Sequence, residues 1–185
     1  WPGWIDGHGH LMGLGCAALQ LDWTGSKSLA ELQRRLAAYA RANPGTGWIQ
    51  GGGWNQEMWP DKKFPTSADL DAIVSDRPVW LERVDGHAAV GNSAALAAAG
   101  ITATTPSPAG GRIEHGLFVD KATALVGNKI PPPSAAMSDA ALARAQQIML
   151  ADGLTAMADM GSSPGGWATM TRAGLAGTPK VRTMS

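Results

Sequence analysis

The sequence predicts an α/β fold in which strands alternate with helices. Short apolar runs typical of buried strands are separated by segments with helical spacing. Such alternation favours a parallel sheet whose strands are joined by helical crossovers. The chain has 185 residues, of which 44% are hydrophobic, and this is enough for one compact domain with a core. A doubly wound sheet and a barrel both fit the pattern.

The predicted elements in the first half of the chain follow this alternation. Residues 3–8 (GWIDGH) are typical of a short buried strand, and residues 28–41 have the spacing of a helix that Ser28 caps. The apolar stripe of that helix comprises Leu29, Leu32, Leu36 and Tyr39. The elements that follow are a strand at 47–54 that runs into a Gly-rich turn, a helix at 66–74, a strand at 77–87 and a short helix that Gly100 ends.

The second half opens with an irregular insertion, residues 100–133, which is rich in Pro, Gly, Thr and Ser. Within it, residues 111–120 (GRIEHGLFVD) have the pattern of a hairpin. The elements after the insertion are a helix at 138–153, a strand at 154–161, a helix at 164–177 and a strand from 180 to 185. The sequence thus predicts about five strands, and functional groups are expected at their carboxyl ends.

Composition and charge argue against several classes of partner. Lys and Arg together number 15, as do Asp and Glu, so the net charge gives no electrostatic reason to expect nucleic acid or an anionic membrane. No apolar run reaches the roughly 18 residues that span a bilayer. The lone Cys16 excludes an internal disulfide framework, which favours a cytoplasmic location. The chain opens inside a motif and without Met, so we expect that residues, and any leader, precede it.

The segment WIDGHGHLM, residues 4–12, carries the strongest chemical signal. His8 and His10 are two residues apart on a predicted strand, so both imidazoles point to the same side at its carboxyl end. Gly7 and Gly9 have no side chains to crowd a bound ion, and zinc accepts imidazole readily. The pattern indicates a metal site. The alternative is a pair of surface or core histidines that happen to alternate.

Three further polar residues follow predicted strands. Asp85 and His87 close the strand at 77–87, where we expect them at the same rim as the two histidines. For His87 we favour substrate contact, and the alternatives are a metal ligand or a capping residue of a loop. Asp159 closes a later strand, where it is either a site residue or a turn or cap residue. His115 lies in the hairpin and is expected at the surface.

A Trp- and Gly-rich segment, GWIQGGGWNQEMW, offers a wall for an apolar pocket. Trp54 and Asn55 follow its glycines, so we expect them to contact substrate, with core packing as the alternative for the aromatic ring. For Trp48 we favour core packing. The triple glycine lacks the G-x-x-x-x-G-K-[ST] pattern of a phosphate loop. Cys16 has no neighbouring base in the sequence, which argues against a thiol nucleophile.

The opening stretch PGWIDGHGHL resembles the first-strand signature of the amidohydrolase superfamily. Further segments narrow the resemblance to amidohydrolase family 3, the branch that contains N-substituted formamide deformylase-like enzymes. These segments are GWIQGGGWNQEMW, RPVWLERVDGHAAVGNSAALAAAGIT, TPSPAGGRIE, GLFVDKA and DGLTAMADMG. They occur in the order of that family and cover nearly the whole chain.

The resemblance implies a fold and a reaction. It implies a distorted (β/α)8 barrel of the TIM type, of which residues 1–185 form the N-terminal part, with a small β-sandwich domain largely absent from this chain. His8 and His10 match first-strand ligands of one or two divalent metal ions, usually zinc. The implied reaction is attack of an activated water on an amide-like, non-peptide C–N bond of a small molecule. The general-base Asp and the remaining ligands are expected beyond residue 185.

Two departures from the family pattern leave alternatives open. Ala158 stands where the family commonly has a histidine, and the segment between Arg112 and Gly116 is shorter than usual, which indicates that residues are missing there. Ala158 points to one alternative, a degenerate, non-catalytic barrel. A metal-dependent hydrolase of a lactone, ester or phosphoester is another, because the His-x-His strand alone does not exclude it. Large aromatic loops of barrel enzymes often face a second copy, so a homo-oligomer is among the expected assemblies.

Overall fold

A computed structural model describes residues 3–184 of the chain, which folds into two compact units. The terminal unit consists of residues 3–19 and 132–184, and the central unit consists of residues 20–131. Each unit has its own sheet. Among the described residues, no helix has both the length and the apolar character that crossing a bilayer requires.

The helices and strands alternate along much of the chain. The strands are β1 (Trp4–Gly9), β2 (Leu21–Asp22), β3 (Ile49–Trp54), β4 (Val79–Arg83), β5 (Ala88–Gly91), β6 (Gly111–Glu114), β7 (Leu117–Asp120), β8 (Leu154–Asp159) and β9 (Arg182–Met184). The helices are α1 (Leu11–Leu19), α2 (Leu29–Ala42), α3 (Ser67–Asp71), α4 (Ser93–Ala99), α5 (Thr123–Gly127), α6 (Ala135–Ala151) and α7 (Pro164–Leu175), with a short 3-10 helix at Gln56–Met58.

The terminal unit is a parallel β/α arrangement. Its three strands lie in the order β1-β8-β9, and both pairs are parallel. Helix α1 follows β1, α6 precedes β8, and α7 connects β8 to β9. This confirms the predicted α/β class and the helical crossovers. The finer prediction, that residues 1–185 form the N-terminal part of a metal-dependent hydrolase barrel, stays a prediction.

Local sequence explains where the two long helices of this unit begin. The Ser134 hydroxyl accepts a hydrogen bond from the Met137 N–H at 3.2 Å and caps α6. The Ser163 hydroxyl caps α7 in the same way, and Pro164 occupies the first helical position. Both are the residue types that helix N-termini prefer. The core beneath these helices consists of Leu11, Leu142, Ala145, Met149, Met157 and Val181.

Helices α1 and α6 approach each other closely at Gly15. A Cβ at this position would lie 2.0 Å from the carbonyl oxygen of Ala141, which is far inside van der Waals contact. The neighbouring atom belongs to helix backbone and cannot rotate away as a side chain would. Glycine is therefore required here by the packing distance between the two helices.

The central unit has a mixed sheet instead of the parallel sheet that the sequence predicts. Its strands lie in the order β2-β3-β4-β5-β7-β6. The first two pairs are parallel and the remaining three are antiparallel. The predicted strand at 77–87 in fact ends at Arg83, and a turn containing Gly86, with φ 71°, reverses the chain into β5. The described residues contain nine strands where the sequence predicts about five.

Other predicted elements of the central unit are confirmed. In α2, Leu32 and Leu36 are fully buried, and the Ser28 side chain accepts a hydrogen bond from the Glu31 N–H. Gly100 ends α4 in the left-handed conformation, with φ 72°. The hairpin predicted at 111–120 is formed by β6 and β7.

The tip of this hairpin is a two-residue turn with positive φ angles, 50° at His115 and 84° at Gly116. His115 is exposed there, as predicted. A Cβ at Gly116 would lie 1.8 Å from the Ser67 hydroxyl oxygen, so the turn is packed against the start of α3. The Ser67 N–H also donates to the His115 carbonyl at 2.9 Å. The hairpin is therefore anchored to the start of α3 within the central unit.

We expect the substitution Gly15→Ala to lower the free energy of unfolding by about 1–3 kcal/mol, because α1 and α6 must separate to admit the methyl group. Gly174→Ala in α7 is the matched control, since a Cβ there meets nothing within 4 Å. It should be neutral or stabilising by up to about 1 kcal/mol. Denaturant unfolding of both variants measures the difference. Equal stability of the two variants would refute the packing argument.

Candidate metal centre

His8 and His10 lie side by side at the end of the first strand. His8 is within β1, and His10 directly precedes α1. Their ring centroids are 5.8 Å apart and their planes meet at 85°. Two imidazoles that ligate one tetrahedral ion have centroids roughly 5–6 Å apart, given a metal–nitrogen bond of about 2.0–2.1 Å. Both side chains are exposed, so neither is committed to the core.

A bulge in β1 shapes this end of the strand. Between the pairs Asp6↔Met157 and Gly9↔Asp159, β1 has one more residue than β8. The Asp6 carboxylate oxygen Oδ1 accepts a hydrogen bond from the His8 N–H at 3.0 Å within the bulge. Bulges of this kind re-aim side chains and occur often beside active sites. Simple strand alternation is therefore an incomplete account of why the two rings are adjacent.

The space around Gly7 and next to the ring of His10 is open. A Cβ at Gly161 would lie 4.0 Å from Nδ1 of His10, in the space next to that nitrogen. A Cβ at Gly7 would meet nothing within 4 Å, whereas one at Gly9 would collide with the Met157 side chain at 2.4 Å. The chemistry of the two imidazoles and the room around them fit a divalent metal ion that prefers nitrogen ligands.

Asp159 connects the end of β8 to the start of α1. It is only 6% exposed. Its Oδ1 accepts a hydrogen bond from the Leu11 N–H at 2.7 Å, and its Oδ2 accepts one from the Ser162 hydroxyl. The Met160 N–H donates to the Gly9 carbonyl at 2.8 Å, which reinforces the same junction. Asp159 therefore has the geometry of a cap residue, which is the alternative that the sequence left open. It fixes the backbone immediately after His10.

The described residues supply only part of a ligand set. Within residues 3–184 there is no group of three or more His, Cys, Asp or Glu side chains arranged to hold a metal ion. Catalytic zinc sites use three protein ligands and leave one position open. The pair His8 and His10 could supply two ligands of such a site, which is the role that the sequence predicts for them.

Cys16, on α1, does not have the environment of a nucleophile. Burial raises the pKa of its thiol, because the charged thiolate is poorly solvated there. The thiol is therefore protonated at neutral pH and less reactive than an ordinary cysteine. This agrees with the sequence-based argument against thiol chemistry.

Trp54, expected to contact substrate, lies in the core of the central unit. It is 0% exposed, and its indole N–H donates to the Leu81 carbonyl at 2.9 Å. The glycines before it belong to strand β3 and do not form the predicted turn. A Cβ at Gly51 would lie 2.3 Å from the Leu21 carbonyl oxygen, so glycine lets β2 approach β3. The burial of Trp54 corresponds to the alternative interpretation, core packing.

Asn55 and Asp85 both form local hydrogen bonds. The Asn55 side chain accepts a hydrogen bond from the Glu57 N–H at 3.1 Å and caps the 3-10 helix. Asp85 lies in the exposed turn between β4 and β5. Its Oδ1 accepts from the His87 N–H at 3.0 Å, and its Oδ2 pairs with the Arg83 guanidinium. Asn55 therefore caps the 3-10 helix, and Asp85 stabilises the turn between β4 and β5.

His87 is the most exposed of the predicted site residues of the central unit, with 75% of its side chain accessible. Its Nδ1 lies 2.9 Å from Oδ1 of Asp120, at the end of β7. The sequence did not reveal Asp120, which is 33 residues away and has no local motif. Nor did it reveal the buried Gln56, whose Oε1 accepts from Nε of Arg83 at 2.9 Å. Only the topology of the sheet brings these residues together.

The amino-acid sequence of this chain is similar to those of known proteins. The model of the amidohydrolase family matches residues 1–183. YtcJ of Bacillus subtilis (strain 168), which is named as an amidohydrolase, is 39% identical over 161 residues, or 83% of this chain and 30% of that protein. The N-substituted formamide deformylase of Arthrobacter pascens is 33% identical over 118 residues, or 63% of this chain and 22% of that protein.

A solved structure is also similar. An uncharacterized metal-dependent hydrolase from Pyrococcus horikoshii OT3 superposes with a TM-score of 0.76 at 25% sequence identity. The match covers 99% of this chain and 36% of that chain. This chain therefore spans about a third or less of the length of each of these three proteins.

The junction at Asp159 gives a prediction about stability. Asp159→Ala should lower the free energy of unfolding by about 1–3 kcal/mol, because the Leu11 N–H and the Ser162 hydroxyl lose a buried acceptor. Asp139→Ala is the control, since Asp139 forms an exposed ion pair with Arg172 and should cost less than about 1 kcal/mol. Denaturant titration of both variants tests this. Similar losses in the two variants would contradict the assignment.

Proposed function

Because this chain belongs to the amidohydrolase family, we propose that it forms part of a metal-dependent hydrolase that cleaves an amide-like, non-peptide C–N bond. The observation that carries the proposal is the pair of imidazoles at the end of β1, with ring centroids 5.8 Å apart. Paired nitrogen ligands at the carboxyl end of a parallel strand are a common arrangement for a catalytic metal.

We propose that the terminal unit is a sector of a (β/α)8 barrel. Its parallel strands and its connecting helices support this, since a barrel of this type consists of eight such strand–helix pairs. The relatives are about three times as long as the matched segment, which leaves room for further strands in proteins of this kind. The remaining ligands and the general base would come from those strands.

In the proposed mechanism, His8 and His10 hold a divalent metal ion, with zinc as the expected metal. When bound, such an ion supplies an activated water nucleophile at neutral pH and a Lewis acid for the scissile carbonyl. Asp6 and Asp159 position the two histidines, because they hold the His8 N–H and the backbone after His10 respectively. His87 is proposed to bind substrate, as the sequence indicates, and Asp85, also predicted from the sequence, to fix the backbone from which His87 projects.

The expected substrate is a small N-acyl or N-formyl amine. One relative is named for N-substituted formamide deformylation, and its similarity extends over 63% of this chain. The imidazole of His87 is exposed and available to a small polar molecule. Trp54 has no proposed role in binding, because it is fully buried.

The metal assignment is tested by elemental analysis of the complete protein. Wild type should contain roughly one or two equivalents of zinc. The double variant His8→Ala/His10→Ala should lose nearly all of it, because two of the ligands are gone. His115→Asn is the control, since His115 is an exposed turn residue with φ 50°, which Asn tolerates. Full metal content in the double variant would contradict the assignment of His8 and His10 as metal ligands.

The reaction class is tested with matched substrate panels. We expect kcat/KM of the complete protein to be highest on N-formyl or N-acyl amines, lost on chelation and restored by zinc. A preference for esters, lactones or phosphotriesters would instead establish the alternative bond class. A complete protein without metal or activity would favour a non-catalytic barrel, the interpretation towards which Ala158 points.

A further inference from the structure

We propose that Asp120 is a positioning residue that fixes His87 with its proton on Nδ1, so that Nε2 is the acceptor for an N–H or O–H group of a ligand. This inference rests on the proposed function, which assigns His87 to substrate contact. It adds a residue that the sequence did not single out. It also specifies the chemistry that the imidazole offers to the substrate.

His87 is held at three points. Its N–H donates to Oδ1 of Asp85 at 3.0 Å, and its carbonyl accepts from the Asp120 N–H at 2.8 Å. The third contact joins the ring nitrogen Nδ1 to Oδ1 of Asp120 at 2.9 Å. The two backbone contacts fix where the side chain begins, and the third fixes how the ring is turned.

The partner of the ring determines the tautomer. An ionised carboxylate only accepts hydrogen bonds, so Nδ1 of His87 must carry the proton that it shares with Asp120. In the neutral imidazole the other nitrogen, Nε2, then has a free lone pair. Because the side chain is 75% exposed, this lone pair is available to a ligand.

In the part of the chain that the structure describes, Asp120 is the charged residue that binds the ring. Asp85 lies on the same turn, but its carboxylate is occupied by the His87 N–H and by the guanidinium of Arg83. Arg83 is itself held by the buried Gln56, through its Nε at 2.9 Å. Both oxygens of Asp85 thus have partners other than the imidazole, whereas Oδ1 of Asp120 contacts the ring directly.

The backbone of Asp120 is held in an uncommon conformation. Its φ is 50°, in the left-handed region that residues with a side chain rarely occupy, although Asp is among those that tolerate it. The Thr123 hydroxyl donates to the Asp120 carbonyl at 2.8 Å and supports this conformation. A pair whose members are 75% and 52% exposed adds little to stability. The fixed backbone of Asp120 keeps its carboxylate beside the ring of His87.

An acceptor at Nε2 selects a class of ligand. A neutral imidazole that accepts at Nε2 binds an N–H or O–H donor and offers nothing to a carboxylate or phosphate oxygen. Under the proposed function, the donor is the N–H of a secondary amide. A tertiary amide, which has no N–H, should then gain nothing from the interaction between Asp120 and His87.

The tautomer is measured directly by long-range ¹H–¹⁵N correlation spectra of the labelled complete protein, with His87→Gln to assign the signals. Wild type should show a pyrrole-like Nδ1 and a pyridine-like Nε2 for His87. Asp120→Asn should shift both signals towards a mixture of tautomers, and Asn retains tolerance for the left-handed backbone. Glu114→Gln is the control, since Glu114 is an exposed carboxylate paired with Arg112 in the same hairpin. A wild-type Nε2–H tautomer, or no change in Asp120→Asn, would overturn the proposal.

Kinetics supply the second readout. Asp120→Asn should lower kcat/KM for a secondary amide by about tenfold to a hundredfold, with a much smaller effect on the matched N,N-disubstituted amide. Glu114→Gln should leave both values unchanged. Equal losses on both amides would contradict the role of the N–H donor. If the complete protein hydrolyses no amide but His87 has the expected tautomer, the proposed function fails while the positioning by Asp120 stands.

Discussion

The pairing of β1 with β8 is the constraint on which the terminal unit depends. It brings Leu11 and Asp159, which are 148 residues apart in the chain, into direct hydrogen-bond contact. The crossover between the two parallel strands contains α1, α6 and the whole central unit. The entropy cost of closing such a loop rises slowly with its length, by about 0.6 kcal/mol for each doubling. Because the central unit has its own core, a long insertion is compatible with the pairing.

The sequence predicts those parts of this arrangement that depend on local periodicity. Helix α2, its Ser28 cap, the end of α4 at Gly100 and the hairpin of β6 and β7 all follow from short-range patterns, and all are present. The division of the strands between two sheets does not follow from such patterns, because alternation of strands and helices does not say which strands pair. Strand β5 was missed because its four residues, AAVG, are too few to show a strand periodicity of their own.

The candidate site shows the same division between local and long-range information. The His-x-His pattern is visible in the sequence, whereas the bulge that shapes it depends on the register with β8. The Trp- and Gly-rich segment has a composition that suits either a pocket wall or a closely packed strand. The close approach of the Leu21 carbonyl to Gly51 favours the packed strand. Leu21 belongs to a strand 30 residues earlier in the chain.

Two Asp-Gly-His segments, residues 6–8 and 85–87, have the same local hydrogen bond. In both, Oδ1 of the Asp accepts the N–H of the His two residues later, at 3.0 Å. This is the contact by which Asp side chains stabilise turns. The side chain of each histidine thus projects from a backbone that is already fixed. A second, distant Asp acts at each place, Asp159 on the backbone after His10 and Asp120 on the ring of His87. The local hydrogen bond is encoded by three consecutive residues, whereas the contact with the distant Asp depends on the fold.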